Sequence, residues 1–568
     1  MVKAPKTTVI FLAVITVVLW DCDKNYSNRY FQHGSVVSAS SSASQIGVDV
    51  LQNGGNAFDA AVATGFALAV TYPQAGNIGG GGFMVARSAN DGQAFTLDFR
   101  ETAPGQAFSS MFQDDEGNVI PGMSVRTHNS VGVPGTVDGL LRILADHGSG
   151  FFSRQELLAP AINLAEKGFP VSHYVASQIN SKREYLSRDP GTKEVFFPLD
   201  TTEWSTGDIL VQKDLASTLR LIANEGRDGF YRGRTADLLI EEIQGGGGII
   251  STEDLDSYAS VYRDPVTGTF REFDIISMGP PSSGGILLIQ MLNMVEFLSV
   301  DSLQWNSRDY VHLLTEIERR SYADRAEHLG DSDFWEVPAI RLISKDYAIS
   351  RTASIDPLRA TPSEMVFAGA AYPDTSQTTH YSIIDKDGNC VSLTTTLNTS
   401  FGSGLLVDGA GFLLNNEMND FSVKPGVPNE YGLIGNEANS IQGGKRPLSS
   451  MAPTIVLKND DPFMIIGSPG GSTIITTVLQ SLLNVISHDM DMQAAVAAPR
   501  VHSQWLPDVL YKEPGAITDI TESELEEMGH SVRFKDGGTF GQTNGLLIDS
   551  RGISGGADPR GDNATAAY

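Results

Sequence analysis

Thr378-Thr379-His380-Tyr381-Ser382-Ile383-Ile384-Asp385-Lys386-Asp387-Gly388-Asn389-Cys390-Val391-Ser392-Leu393-Thr394-Thr395-Thr396 reads as two strands and the turn between them. Residues His380 to Asp385 and Cys390 to Thr396 are rich in β-branched and aromatic side chains. Between them lies Lys386-Asp387-Gly388-Asn389, whose central Asp-Gly is a strong hairpin signal. A two-residue turn at Asp387-Gly388 pairs Lys386 with Asn389 and sets Thr379 opposite Thr396. Two threonine hydroxyls, those of Thr378 and Thr396, are then expected within one residue of each other.

Upstream of this hairpin the pattern is different. Ser44 to Gln52 carries Ile46, Val50 and Leu51 at helical spacing and stops at Gly54-Gly55. A second helix, Phe58 to Val70, is apolar nearly all round and is expected to be buried. Beyond Pro73, the run Gly79 to Gly82 leads into Phe83-Met84-Val85, a loop entering a strand. From Gln155 to Glu327 the pattern is mostly helical, broken by Gly245 to Gly248 and by Gly279-Pro280-Pro281-Ser282-Ser283-Gly284-Gly285. Periodicity alone yields a mixed α and β protein.

The chain has 568 residues, enough for two or more lobes or one large multilayer body. Its formal charge of -28 repels phosphate backbones and excludes nucleic acid as a natural partner. Two cysteines, Cys22 and Cys390, make no disulfide framework, and no CxxC pair or HExxH helix offers a metal site. Neither metal nor cofactor is expected. Lys3 and Lys6 precede an apolar run from Val9 to Trp20, the size of a signal-peptide core and short of the ~18 residues that span a bilayer. Residues 1–22 are therefore read as a signal segment, with a periplasmic or extracellular destination. Two alternatives stay open, an uncleaved anchor and lipid attachment at Cys22, the latter disfavoured by bulky Trp20 and charged Asp21.

No GxSxG elbow, P-loop or complete GxGxxG is present, so a different nucleophile is required. Five blocks occur in order: Thr378-Thr379-His380-Tyr381-Ser382, Thr396-Leu397-Asn398, Leu414-Asn415-Asn416-Glu417-Met418-Asn419-Asp420-Phe421, Arg446-Pro447-Leu448-Ser449-Ser450-Met451 and Gly467-Ser468-Pro469-Gly470-Gly471-Ser472. Together they strongly resemble the small subunit of γ-glutamyltranspeptidases. The resemblance extends upstream through Gly54-Gly55-Asn56-Ala57, Asp98-Phe99-Arg100-Glu101 and Val133-Pro134-Gly135, and downstream to Ala557-Asp558-Pro559-Arg560. It implies an N-terminal nucleophile hydrolase, a four-layer αββα sandwich made as one precursor. Cleavage between Gln377 and Thr378 would give a large subunit, residues 23–377, and a small subunit, residues 378–568. The implied reaction is γ-glutamyl transfer from glutathione and other γ-glutamyl compounds to water or to amino acid and dipeptide acceptors.

The chemistry of such a site suits these residue types. A threonine hydroxyl is a weak nucleophile near neutral pH and needs an adjacent base. An α-amino group of pKa about 7.7 to 8.0 supplies one when the threonine begins a chain. A γ-glutamyl donor presents a carboxylate and an ammonium beside its scissile amide, so it needs a cationic or hydroxyl clamp for one and carboxylates for the other. By resemblance, Arg100, Ser449 and Ser450 hold the carboxylate, while Asn398, Glu417 and Asp420 hold the ammonium. Gly470 and Gly471 match the amides of an oxyanion hole, and Thr396 matches the threonine that hydrogen-bonds the nucleophile. Glu417 stands where family members differ between Gln and Glu. The segment Lys424 to Lys445, with Tyr431, resembles a lid loop over the glutamate pocket.

Two rival readings remain. A cephalosporin acylase of the same fold would act on glutaryl-type substrates that carry no α-ammonium, and a carboxylate at Asp420 argues against it. A binding protein that kept only the scaffold would have lost its nucleophile, whereas Thr378, Thr396, Gly470 and Gly471 are all present.

Overall fold

In the computed structural model, which describes residues 29–199, 203–367, 378–427, 435–535 and 538–568, the hairpin is the centre of the molecule. The signal segment with Cys22, as well as Gln377 and Tyr431, lies outside the described residues. The strands of the two large sheets are β1 (Ser35–Ser38), β2 (Gly81–Arg87), β3 (Ala94–Phe99), β4 (Val261–Arg263), β5 (Val266–Phe270), β6 (Phe273–Ser277), β7 (Thr378–Ile384), β8 (Cys390–Thr396), β9 (Thr454–Lys458), β10 (Asp461–Gly467), β11 (Asn544–Asp549), β12 (Gly552–Ala557) and β13 (Ala564–Ala567). They form a seven-stranded sheet, β13-β1-β7-β8-β2-β3-β4, and a six-stranded sheet, β12-β11-β10-β9-β6-β5.

The register differs by one residue from the two-residue-turn expectation. Cys390 pairs with Ile384 and Thr396 pairs directly with Thr378. The loop is Lys386-Asp387-Gly388, closed by an Asp385 amide bond to the Asn389 carbonyl of 3.2 Å, with Gly388 at φ +90°. The Asp385 carboxylate accepts from the amides of Asp387 and Asn389, each at 3.0 Å. These bonds favour a three-residue loop with glycine in the left-handed region. The result sharpens the catalytic expectation, because the two threonines are now rung partners.

Strand alternation then sorts the hairpin's two faces. Tyr381, Ile383, Val391 and Leu393 join the core under the helices. His380, Ser382, Ser392 and Thr394 face the six-stranded sheet, where the Ser382 hydroxyl contacts the carbonyls of Ile465 and Asn544 and the Ser392 hydroxyl donates to that of Ile466. Burial is tolerable for these polar groups because each finds a partner. Gly467 lets the sheets approach, since a Cβ there would meet the His380 ring at 2.3 Å.

Helices cover both outer faces. α1 (Ser41–Gln52) and α2 (Ala57–Thr71) pack on the seven-stranded sheet, and α2 is buried along its whole length, as its all-round apolar sequence requires. Asn56 and Asp59 form a reciprocal cap at its start, a feature worth about 1 kcal/mol. On the opposite face lie α3 (Gly284–Leu298) and α5 (Thr473–Ile486), with α4 (Arg308–His328) against α3. Four layers, αββα, result. One expectation is corrected: the region read as mostly helical contains β4, β5 and β6, short strands in which buried Val266, Phe270, Phe273 and Ile275 supply the edge of the second sheet. Runs of three to five residues are too short for period-two alternation to show against long helical neighbours. No helix among the described residues is long and apolar enough to cross a membrane.

Candidate active site

Thr378 opens β7 and is 3% exposed. Its hydroxyl lies 3.4 Å from that of Thr396, whose oxygen also accepts the Asn398 amide at 2.8 Å. Asn398 follows β8 at φ +75°, and its side chain donates to the Asn416 carbonyl at 2.9 Å. That bond ties the β7–β8 hairpin to the turn bearing Glu417 and Asp420. His380, two residues along the same strand, is not a base for this site: burial pushes its pKa down to about 3, and both ring nitrogens are engaged by Thr394 and Ser382.

Across the cavity, Arg100 emerges from the end of β3. Its amide is held by Asp98 at 2.9 Å, and Asp98 in turn pairs with Arg263 and Arg446. The Arg100 guanidinium donates to Glu417 through Nη1, to Asp420 through Nη2 and to the Pro447 carbonyl through Nε. Burial works against its charge, but Glu417 and Asp420 more than compensate and hold it cationic. Glu101 lies 3.5 Å from the same guanidinium, and burial pushes its carboxyl up to about 7. Burial likewise raises Glu417 and Asp420 above the usual carboxylate range, against the pull of Arg100. Three carboxyl groups thus share one arginine in a low-dielectric site.

Ser449 and Ser450 form a third wall. The Ser449 hydroxyl oxygen accepts the Met451 amide at 3.1 Å, and that of Ser450 accepts from Arg325 Nη2 at 3.2 Å. Gly470 and Gly471, at φ +133° and +55°, lead into α5, and their carbonyls accept the amides of Thr473 and Ile474. Their own N–H groups bond no described residue. A helix N-terminus with two free glycine amides ahead of it is suited to a developing oxyanion.

The structure therefore brings Arg100, Thr378, Thr396, Asn398, Glu417, Asp420, Ser449, Ser450 and Gly471 to one cavity, with Gly470 beside it. Arg325, Met451, Ser472 and Ile474 line it too and were missed. Arg325 sits on α4, which is rich in charged residues yet buried from Tyr310 to Ala326 except at Leu313. Its charged residues are interleaved with core residues such as Val311, Leu314 and Ile317, and that pattern does not say which charge faces the cavity. The described ends of the lid-like segment are anchored, Lys424 to the Gly117 carbonyl and Lys445 to those of Ala438 and Ser440.

The γ-glutamyltranspeptidase family model matches residues 43–568. This chain belongs to the γ-glutamyltranspeptidase family. It is 45% identical over 541 residues to a glutathione hydrolase proenzyme of Escherichia coli, covering 94% of this chain and 92% of that protein. It is 37% identical to an acylase ACY 1 proenzyme of a Pseudomonas strain, covering 90% and 89%. Among solved structures, a cephalosporin acylase from Bacillus halodurans superimposes with TM-score 0.83 at 26% identity over 98% of this chain and 99% of that one. A Helicobacter pylori γ-glutamyltranspeptidase chain gives 0.57 at 45% identity, covering 58% of this chain and 94% of its own. Family membership and the αββα architecture of the N-terminal nucleophile hydrolases follow.

Proposed function

We infer that the protein is a γ-glutamyltransferase and glutathione hydrolase that works through Thr378 as an N-terminal nucleophile. The observation that carries this reading is the single cavity in which a buried threonine pair faces a guanidinium, two serine hydroxyls and two carboxylates. That is the complement of a zwitterionic amino acid head group next to an amide. In the precursor the Thr378 hydroxyl attacks the Gln377 carbonyl, the peptide becomes an ester, and water opens it to leave an α-amine on Thr378. That amine then accepts the hydroxyl proton as Thr378 Oγ attacks the donor's γ-carbonyl. The Gly470 and Gly471 amides receive the oxyanion, the C–N bond breaks, and the proton passes to the departing amine. Water or an amino acid acceptor discharges the ester.

The resting cavity holds only about 20 Å³, room for one water. A donor must therefore enter by exchange, its carboxylate joining Arg100 while its ammonium takes over Glu417 and Asp420, with Asn398 beside them. An acylase reading is weaker for the same reason. A glutaryl group would occupy Arg100 and leave two buried carboxylates without a cation. Purified protein incubated with glutathione, with and without a dipeptide, tests the assignment: glutamate and γ-glutamyl-dipeptide are expected products. Ping-pong initial rates and a glutamyl adduct on residues 378–568 are expected as well. Intersecting initial-rate lines with no adduct would remove the covalent mechanism.

A further inference from the structure

We propose that Arg325 is a positioning residue for donor recognition, which turns Ser450 into an obligate proton donor toward the γ-glutamyl α-carboxylate; this rests on the reading of the cavity given above. Arg325 is 5% exposed, lines the cavity and has no carboxylate in ion-pair contact among the described residues. Its Nε donates to Ser283 Oγ at 2.9 Å and its Nη2 to Ser450 Oγ at 3.2 Å. Ser283 passes the interaction on, its hydroxyl donating to the Ser449 carbonyl at 2.7 Å and its amide to the same carbonyl at 2.8 Å. One guanidinium therefore fixes both loops that meet at the serine wall.

The consequence lies in proton direction. A guanidinium can only donate, so Ser450 Oγ can only accept from it, and the single Ser450 proton is left for another acceptor. No described residue takes that proton. Ser449 is set in the same sense, because its oxygen accepts the Met451 amide and its hydroxyl donates to no described residue. Two adjacent hydroxyls thus point protons at one small volume, and Arg325 polarises one of them. Such a wall offers two hydroxyl donors to a carboxylate oxygen. The Arg100 Nη groups are engaged by Glu417 and Asp420 until a donor's ammonium takes those carboxylates over, whereas the two serine protons are unclaimed among the described residues of the resting cavity.

The test uses the processed enzyme and a chromogenic γ-glutamyl anilide. Inhibition constants are measured for glutamate and for 4-aminobutyrate, which keeps the ammonium and lacks the α-carboxylate. Arg325→Met should raise the donor KM and the glutamate inhibition constant about tenfold or more, as loss of a charge-assisted contact implies. It should leave kcat within about threefold and the 4-aminobutyrate constant within about twofold, by the same logic of a contact made only to the carboxylate. Arg325→Lys should recover part of the loss. If Arg325→Met does not fold, Ser450→Ala and the Arg325→Lys/Ser450→Ala pair decide, the double variant being expected to be no worse than Ser450→Ala alone. Equal weakening of both inhibitors, additive losses in the pair, or a fall in kcat at constant KM would overturn the proposal. Wild-type protein that releases no product from the anilide would instead refute the γ-glutamyl reading itself.

Discussion

In the β7–β8 hairpin, Thr378 and Thr396 stand 18 residues apart in the chain and share an unbroken ladder back to Ile384 and Cys390. The charge cluster facing them joins Arg100 to Glu417 across 317 residues and draws its other members from a helix and a serine loop. The hairpin is held by backbone bonds and by packing on both faces. The cluster is held by its own charges, so on the proposed reading each member both builds the site and reads the substrate. Changes in the hairpin should act on cleavage and kcat, and changes in the cluster on KM and donor choice.

The largest expected effect is at the hairpin's end. On the proposed mechanism Thr378→Ala removes the attacking hydroxyl, so one uncut, inactive chain is expected on denaturing gels. The active wild-type protein should yield a small subunit beginning Thr-Thr-His-Tyr-Ser. Full activity in an uncut chain, or a small subunit starting elsewhere, would break the comparison at its root.

Next comes the cluster. Asp420→Asn keeps the shape but removes one charge-assisted contact of roughly 1.5 to 3 kcal/mol, so kcat/KM for γ-glutamyl donors should fall at least tenfold. Glutaryl amides should suffer far less, and cleavage at Thr378 should proceed. Equal losses on both substrates would show that Asp420 does not read the ammonium.

A smaller effect is expected from pH. Burial raises Glu417 and Asp420, and Glu101 in the same cluster is pushed up to about 7. A raised carboxyl is protonated first as pH falls, and a neutral carboxyl no longer holds an ammonium. Donor kcat/KM should therefore decline on the acid side through an apparent pKa above the ordinary carboxylate value of about 4, a value belonging to the cluster and to no single member. Asp420→Asn removes a negative neighbour and should move that limb to lower pH. A profile flat down to the ordinary carboxylate range would contradict the shared-charge description.

The two regions also differ in how far sequence reasoning reached them. Hairpin, turn and threonine pairing were legible because β-branched runs and Asp-Gly act over a few residues. The one-residue error came from Asp385, whose side chain caps the loop in a way that strand alternation does not encode. The identities of Arg100, Glu417, Asp420 and the serine pair came from resemblance, since nothing local says that an arginine after β3 meets a turn 317 residues away. Arg325 was not seen at all, being one of many charges on a buried helix whose partners are fixed only by tertiary packing. Strands β4 to β6 escaped for the opposite reason, being too short to carry a period.

The smallest expected effect isolates the turn from the chemistry. Gly388 sits at φ +90°, where a Cβ would meet only the Ala89 Cβ at 3.9 Å, so replacing it costs backbone conformation and creates no clash. Gly388→Ala should lower stability by about 1 kcal/mol, the usual cost of holding an L-residue in the left-handed region. Six residues of β7 and six of β8 separate this turn from the threonine pair, with β8 paired to β2 along its whole length and β7 paired to β1 at Ser382 to Ile384. Self-cleavage, kcat and donor KM should therefore match wild type while thermal unfolding shifts down slightly. A tenfold loss of cleavage with only that modest destabilisation would mean that the turn sets the strand register, and that Thr378 and Thr396 are aligned by Gly388 and not by the sheet around them.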